Sequence, residues 1–143
     1  MTDDIPLNPR PADAPNTNGT ILVVDDNPTN LKLVTDVLEF EGYTLLKAGD
    51  AEEAQLIIQR TAPDLILMDI ALPGMDGLTL TRKLKAEPAT KNISVVALTA
   101  FAMKGDDQKA IAAGCDGYIT KPVDTRKLPC QVAELVERAK RKR

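Results

Sequence analysis

Asp25 and Asp26 stand side by side directly after the apolar run 21–24, ILVV. A third acid, Asp69, follows the apolar run 65–68, LILM. Thr99 follows 93–98, ISVVAL, and Lys121 follows 117–120, GYIT. Each polar residue thus sits where a strand-like run ends. Two adjacent carboxylates at the end of a buried strand repel each other and resist leaving water, so a counter-charge should stand nearby. The chain has no His, the commonest general base and metal ligand. Its chemistry therefore falls to carboxylates, hydroxyls and lysines.

Three carboxylates on one rim of a sheet would cost on the order of 4 kcal/mol per like-charged pair at 4 Å and an effective dielectric of 20. A divalent cation relieves that repulsion. Oxygen-only ligation selects a hard ion such as Mg²⁺, which takes one or two carboxylates and completes its shell with water and phosphate oxygens. A carboxylate is also a nucleophile toward phosphorus and forms an acyl phosphate. Asp69 stands alone at its strand end and is the natural nucleophile, leaving Asp25 and Asp26 to hold metal. Lys121 would grip a phosphoryl oxygen as a point charge, and the Thr99 hydroxyl would hydrogen-bond another. Positioning and charge stabilisation carry most of a phosphoryl transfer, so this small set can suffice.

What would bring residues scattered over almost a hundred positions together is a series of βα units. The runs 21–24, 65–68 and 93–98 are almost continuously apolar, as expected of strands covered on both faces, whereas 43–48 and 117–120 are shorter or more polar and suit sheet edges. Helical spacing follows, with Leu31, Val34, Val37 and Leu38 in one stripe and Ala51, Ala54, Ile57 and Ile58 in the next. Asn27-Pro28 reads as a cap with Pro at the first helical position, Gly42 closes that helix, and Asp50 to Glu53 reads as a capping box. Pro73-Gly74 and Asp76-Gly77 punctuate the link from the third strand to the third helix. Five such units predict an α/β fold, a doubly wound five-stranded parallel sheet in the order 2-1-3-4-5. Ligands of such sheets bind beyond the carboxyl ends of the strands, where the winding reverses. Here that point lies between the first and third strands, where the acids are.

Length and composition agree. The 143 residues suit one domain, with 43% hydrophobic and 27% charged residues. Aromatic residues make up 3%, with no Trp, which disfavours a base-stacking nucleic-acid binder. A net charge of −3 gives no global attraction to nucleic acid or an anionic membrane. Cys115 and Cys130 form neither a disulfide framework nor metal-ligand spacing, and Cys115 reads as a small buried hydrophobe. No apolar run is long enough to span a bilayer and no signal pattern opens the chain, so the expected address is the cytoplasm. Residues 1–19, rich in Pro, Asn and Asp, read as a disordered tail; 20–138 form the domain; 139–143 form a basic tail. That tail reads either as a solvated helix end or as a contact for an acidic partner or membrane surface. Asp50, Asp76, Asp106 and Asp107 read as caps, turns and solvated surface. Pro129 lies a turn into the last helix if Asp124 is its cap, so that helix should start late or bend.

Taken together, VVDDN, LILMDIALPGMDG, ALTA and YITKP, in this order and spacing over about residues 20–138, resemble the receiver domain of two-component response regulators. The stretch 97–122 is most similar to single-domain regulators of the DivK type and to receivers of hybrid kinases. The resemblance implies a flavodoxin-like (βα)5 fold and phosphate transfer to Asp69 from a phosphohistidine of a histidine kinase or phosphotransfer domain. It implies that Asp25, Asp26, Asp69 and the backbone carbonyl of Ala71 bind Mg²⁺, and that Thr99 and Tyr118 form the switch. It also implies a cis peptide between Lys121 and Pro122. The helix 4–strand 5–helix 5 face would change shape and bind a downstream protein target. Tyr118 fits simple edge packing equally well, and Phe101 and Met103 read either as core filling or as part of that face. The domain would catalyse only its own phosphorylation and dephosphorylation.

Two other classes compete. A Mg²⁺-dependent phosphatase with an aspartyl nucleophile commonly carries a second acid two positions later, where this chain has Ala71, and no substrate-enclosing cap region is evident. A degenerate receiver acting only as a binding module would not need all five rim residues. Within the receiver class, the chain reads as a stand-alone switch or as an intermediate phosphate shuttle. Met1 and a flexible lead suit a natural start, and an excised receiver of a hybrid kinase is the alternative. As nothing follows Arg143, no DNA-binding or enzymatic output domain is expected; the lack of a long apolar run argues against a membrane span, and the oligomeric expectation is a monomer or weak dimer.

Overall fold

The computed structural model describes residues 19–70, 77–99 and 106–142. In chain order the elements are β1 (Thr20–Val24), α1 (Pro28–Phe40), β2 (Thr44–Ala48), α2 (Ala51–Arg60) and β3 (Leu65–Asp69). Next come α3 (Gly77–Ala86), β4 (Ser94–Thr99), α4 (Asp106–Ala113), β5 (Gly117–Thr120) and α5 (Leu128–Lys142). The strands form one parallel sheet in the order β2-β1-β3-β4-β5, as the sequence predicts.

The sheet's two faces explain the apolar runs. Alternate residues of the central strands point to opposite sides. Leu22, Val24, Ile66, Met68, Val95 and Ala97 pack with α2 and α3 through Ala54, Ile58, Leu80 and Leu84. Ile21, Val23, Leu65, Leu67, Val96 and Leu98 pack with α1 and α5 through Val34, Leu38, Val132 and Val136. Every residue of β3 and β4 is buried, whereas β2 and β5 each have exposed positions, as edge strands should. Cys115 is buried, and its burial pushes the thiol pKa up.

Local signals operate as their chemistry dictates. The Asn27 side chain accepts hydrogen bonds from the Thr29 and Asn30 backbone N–H groups at 2.9 and 3.2 Å, with Pro28 opening α1. Gly42 ends α1 with φ of 96°, a conformation that costs glycine little, and the Tyr43 N–H returns to the Leu38 carbonyl. Asp50 caps α2 by accepting from Glu53 N–H at 2.7 Å. Glu53 reaches back one residue further than the usual box, to Gly49 N–H at 2.8 Å.

Pro129 is accommodated because α5 starts late. The Asp124 carboxylate accepts from Arg126 N–H, and its carbonyl accepts from the Lys127 and Leu128 N–H groups. Asp124 therefore closes a turn that precedes α5, and Pro129 becomes the second helical residue, where no N–H is needed. The helix then runs on to Lys142, through buried Ala139. No described helix is long and apolar enough to cross a membrane. The expected N-terminal tail lies outside the described residues, apart from Gly19.

At the opposite end of the sheet from the acids, a charge pair joins three elements. Lys85 Nζ, at the end of α3, donates to Asp116 Oδ2 at 2.9 Å and to the Ile93 carbonyl at 2.8 Å. The same Asp116 oxygen accepts from the N–H of Val95 in β4 at 2.9 Å. Both side chains are mostly shielded, with 20% and 17% exposure. Asp116→Ala would leave the ammonium without its counter-charge and the Val95 N–H without its acceptor. The expected loss is about 2–3 kcal/mol in urea unfolding, moderated by the water that still reaches Lys85.

Candidate functional site

The carboxyl ends of β1 and β3 are adjacent, since Val24 pairs with Met68 in the register. The next residues of the two strands, Asp25 and Asp69, are thereby set at one edge of the sheet. Carboxylate oxygens of Asp25, Asp26 and Asp69 all lie within 4.8 Å of one another. Asp25 is 2% exposed and Asp69 5%, while Asp26 is open to solvent. The site therefore has two walled-in acids and one wet one.

Lys121 reaches the same point from beyond β5. Its Nζ donates to Asp69 Oδ2 at 3.0 Å and stands 3.4 Å from Asp25 Oδ2, an ion pair without a hydrogen bond. Its backbone is fixed as well, because Lys121 N–H donates to the Thr99 carbonyl at 2.7 Å. The Lys121-Pro122 peptide is cis, as the resemblance implies. Thr99 ends β4, is 1% exposed and pairs with Thr120 across the sheet.

The electrostatics follow from this packing. Burial pushes the Asp25 carboxyl above its usual pKa, against the Asn27 N–H bond at 2.9 Å and the Lys121 charge, with Asp69 adding repulsion. For Lys121, burial opposes the charged form, but the Asp69 hydrogen bond and charge, followed by Asp25, outweigh it and hold the ammonium pKa above its ordinary value. A single lysine thus serves two acids.

The residues fit a hard divalent cation. Asp25 Oδ2 is the one buried side-chain oxygen or nitrogen without a hydrogen-bond partner among the described residues. Such an orphan is costly. A cation bound by the three acids would satisfy it, which matches the chemistry of the donor set. Ala71, expected to add its carbonyl, lies outside the described residues, as do Phe101 and Met103.

A cleft of about 390 Å³ opens on this rim, lined by Asp25, Asn30, Val34, Leu98, Lys121, Pro122 and Val123. It offers an approach to Asp25 and Lys121 between α1 and the segment after β5. A somewhat larger cleft, about 450 Å³, lies between α2 and α3 and contains none of the rim residues. Tyr118 is 42% exposed on β5, beside Ile111 and Leu135.

Gly77 has a role here that a turn signal does not convey. A Cβ at this first residue of α3 would lie 2.5 Å from the Asp69 carbonyl oxygen and 2.9 Å from Ile70 Cα. Both neighbours are backbone and neither can swing aside. The start of α3 therefore presses on the chain that carries Asp69. Gly77→Ala should lower stability by roughly 1–3 kcal/mol in thermal or urea melts, as overpacking does.

Comparison with known proteins agrees with this geometry. A family model for the response regulator receiver domain matches residues 21–133. The polar-differentiation response regulator DivK of Brucella anthropi is 42% identical over 104 residues, which is 73% of this chain and 85% of that relative. Among solved structures, the signal receiver domain of a signal transduction histidine kinase from Syntrophus aciditrophicus is 36% identical, with a TM-score of 0.78 over 86% of this chain and 93% of that one. A CheY-like response regulator receiver domain protein from Methanospirillum hungatei is 31% identical, with a TM-score of 0.79 over 87% and 98%. Agreement of sequence and fold over most of the chain places this protein in the response regulator receiver family of two-component signalling.

Proposed function

We propose that the protein is a phosphorylation-dependent signalling switch whose acceptor is Asp69. The observation that carries this reading is the meeting of three carboxylates from two strand ends with one lysine, 3.0 Å from Asp69. In the proposed step an Asp69 carboxylate oxygen attacks phosphorus while the P–N bond of a donor phosphohistidine breaks. The imidazole leaves with the electron pair and a proton from solvent. Asp25 and Asp26, with Asp69 and the Ala71 carbonyl, would hold Mg²⁺. The ion, when bound, supplies positive charge for the phosphoryl oxygens. Lys121, already hydrogen-bonded to Asp69, is placed to hold one of those oxygens as charge moves onto the acceptor. Thr99, on the neighbouring strand end, would hydrogen-bond the group after transfer.

Thr99 and Tyr118 would then link the rim to the surface formed by α4, β5 and α5. Phosphorylation biases a pre-existing equilibrium, so its partners must bind the two states with different affinity. The donor would be a histidine kinase or histidine phosphotransfer domain in the cytoplasm, and the receiver of the signal another protein. A chain that passes the phosphoryl group onward would use the same rim. Incubation with Mg²⁺ and a phosphohistidine-bearing phosphotransfer domain tests the reading. One phosphoryl group should move onto this chain and be released by alkali. Sustained hydrolysis of varied phosphoesters would favour a phosphatase, and no transfer would favour a mute binding module.

A further inference from the structure

The two carboxylate oxygens of Asp25 stand in different surroundings. Oδ1 accepts a hydrogen bond from Asn27 N–H at 2.9 Å. Oδ2 has no hydrogen-bond partner, although Asp25 is only 2% exposed. It stands 3.4 Å from Lys121 Nζ, which is itself 3.0 Å from Asp69 Oδ2. One oxygen is thus tied back toward α1, and the other faces the rim. The sheet fixes the backbone of Asp25, through its N–H on the Ala48 carbonyl at 3.1 Å. The hydrogen bond that sets the rotation of the carboxylate comes from Asn27.

Asn27 is itself held in place from several sides. Its side-chain Oδ1 accepts from the Thr29 and Asn30 N–H groups, and its carbonyl accepts from Leu31 N–H at 3.0 Å. Pro28 disfavours a helical conformation in the residue before it, and Asn27 is extended, with φ of −93° and ψ of 112°. In a capping box, a Glu or Gln at the third helical position takes the N–H of the cap residue. That position is Asn30 here, and the Asn27 N–H goes back to Asp25 instead.

We propose that Asn27 is a positioning residue for the cation, because by capping α1 it keeps its N–H on Asp25 Oδ1 and so turns Oδ2 into the metal site. The inference rests on the reading that Asp25, Asp26 and Asp69 bind Mg²⁺. An oxygen that is already oriented loses little freedom when an ion binds it. Groups that hydrogen-bond a ligating carboxylate commonly change metal affinity by about 10–100-fold when they are altered. Without its cap the first turn of α1 loosens, the N–H leaves Oδ1, and the ion must order the carboxylate itself.

NMR titration of the full chain with Mg²⁺ alone tests this. Asn27→Ala should lower the affinity roughly tenfold. Asn27→Ser keeps a cap acceptor and should stay within about twofold of the unaltered protein. Leu38→Val weakens α1 from its core face and should leave the affinity unchanged. Hydrogen exchange at the amide of residue 27 should quicken in Asn27→Ala but not in Asn27→Ser. Circular dichroism checks that each variant is folded. Undiminished affinity in Asn27→Ala, beside normal Mg²⁺ binding by the unaltered protein, would overturn the role of Asn27 and leave the metal site standing. So would a loss in Asn27→Ser or Leu38→Val as large as that in Asn27→Ala. An unaltered protein that binds no Mg²⁺ would overturn the metal reading and this inference with it.

Discussion

Asp69→Asn should take up no phosphoryl group from acetyl phosphate and Mg²⁺, while the unaltered protein gains the mass of one. A carboxamide has nearly the shape of a carboxylate but lacks the anionic oxygen that attacks phosphorus. Removing a catalytic nucleophile costs on the order of 10⁶-fold in rate. The substitution also removes one charge from a rim where burial already opposes the charged form of Asp25. The variant should therefore stay folded, and thermal melting alongside intact-mass measurement separates lost chemistry from lost structure. Retention of Lys121 near its place is expected, because Asp25 remains 3.4 Å away as a counter-ion. An adduct of undiminished yield on Asp69→Asn would move the acceptor to another residue and end the proposed role of Asp69.

That prediction was accessible from sequence because each contributing residue follows a strand, and strands were the easiest elements to read. Leu65–Met68 and Val95–Leu98 are apolar at every position because helices cover both faces of the sheet. Once the parallel order is deduced, adjacent strand ends must share a rim, and Asp25 and Asp69 become neighbours without knowledge of any side-chain conformation. The start of α5 was harder to locate. Asp124 has the chemistry of a helix cap, yet it stabilises a separate turn, because both its carbonyl and its carboxylate are engaged before Pro129 enters the helix.

Two further features were not legible, for different physical reasons. Gly after Asp76 reads as turn chemistry, whereas Gly77 is required by the closeness of α3 to the Asp69 carbonyl, a distance only packing sets. Lys85 looks like a solvated residue in the last turn of α3. Its partner Asp116 is 31 positions away and meets it only because the start of β4 and the loop before β5 lie side by side. Sequence spacing identifies contacts along one element and between registered strand ends. It does not identify contacts between a helix end and a remote loop.

Asp25→Asn should have two opposite effects, raising stability without metal and removing the response to metal. The native pKa of Asp25 is raised above 3.8, chiefly by burial. The native state therefore binds this proton more tightly than the unfolded state does. Stability from this group is fully present below about pH 3.8 and is lost as pH rises through the native pKa. Replacing the acid by an amide removes that loss and relieves repulsion with Asp69. The expected gain at pH 7 without divalent ions is roughly 1–2 kcal/mol, equivalent to about 3–8 °C in melting temperature. The advantage should shrink as pH falls toward the unfolded pKa. Added Mg²⁺ reverses the ranking, because an ion that binds only the native state stabilises by mass action. The unaltered protein should melt progressively higher as Mg²⁺ rises, while Asp25→Asn shifts little. Melting curves at several pH values, with Mg²⁺ and with chelator, measure both effects. A variant that is less stable at every pH and keeps the full Mg²⁺ shift would place the ion away from Asp25 and leave its orphaned oxygen unexplained.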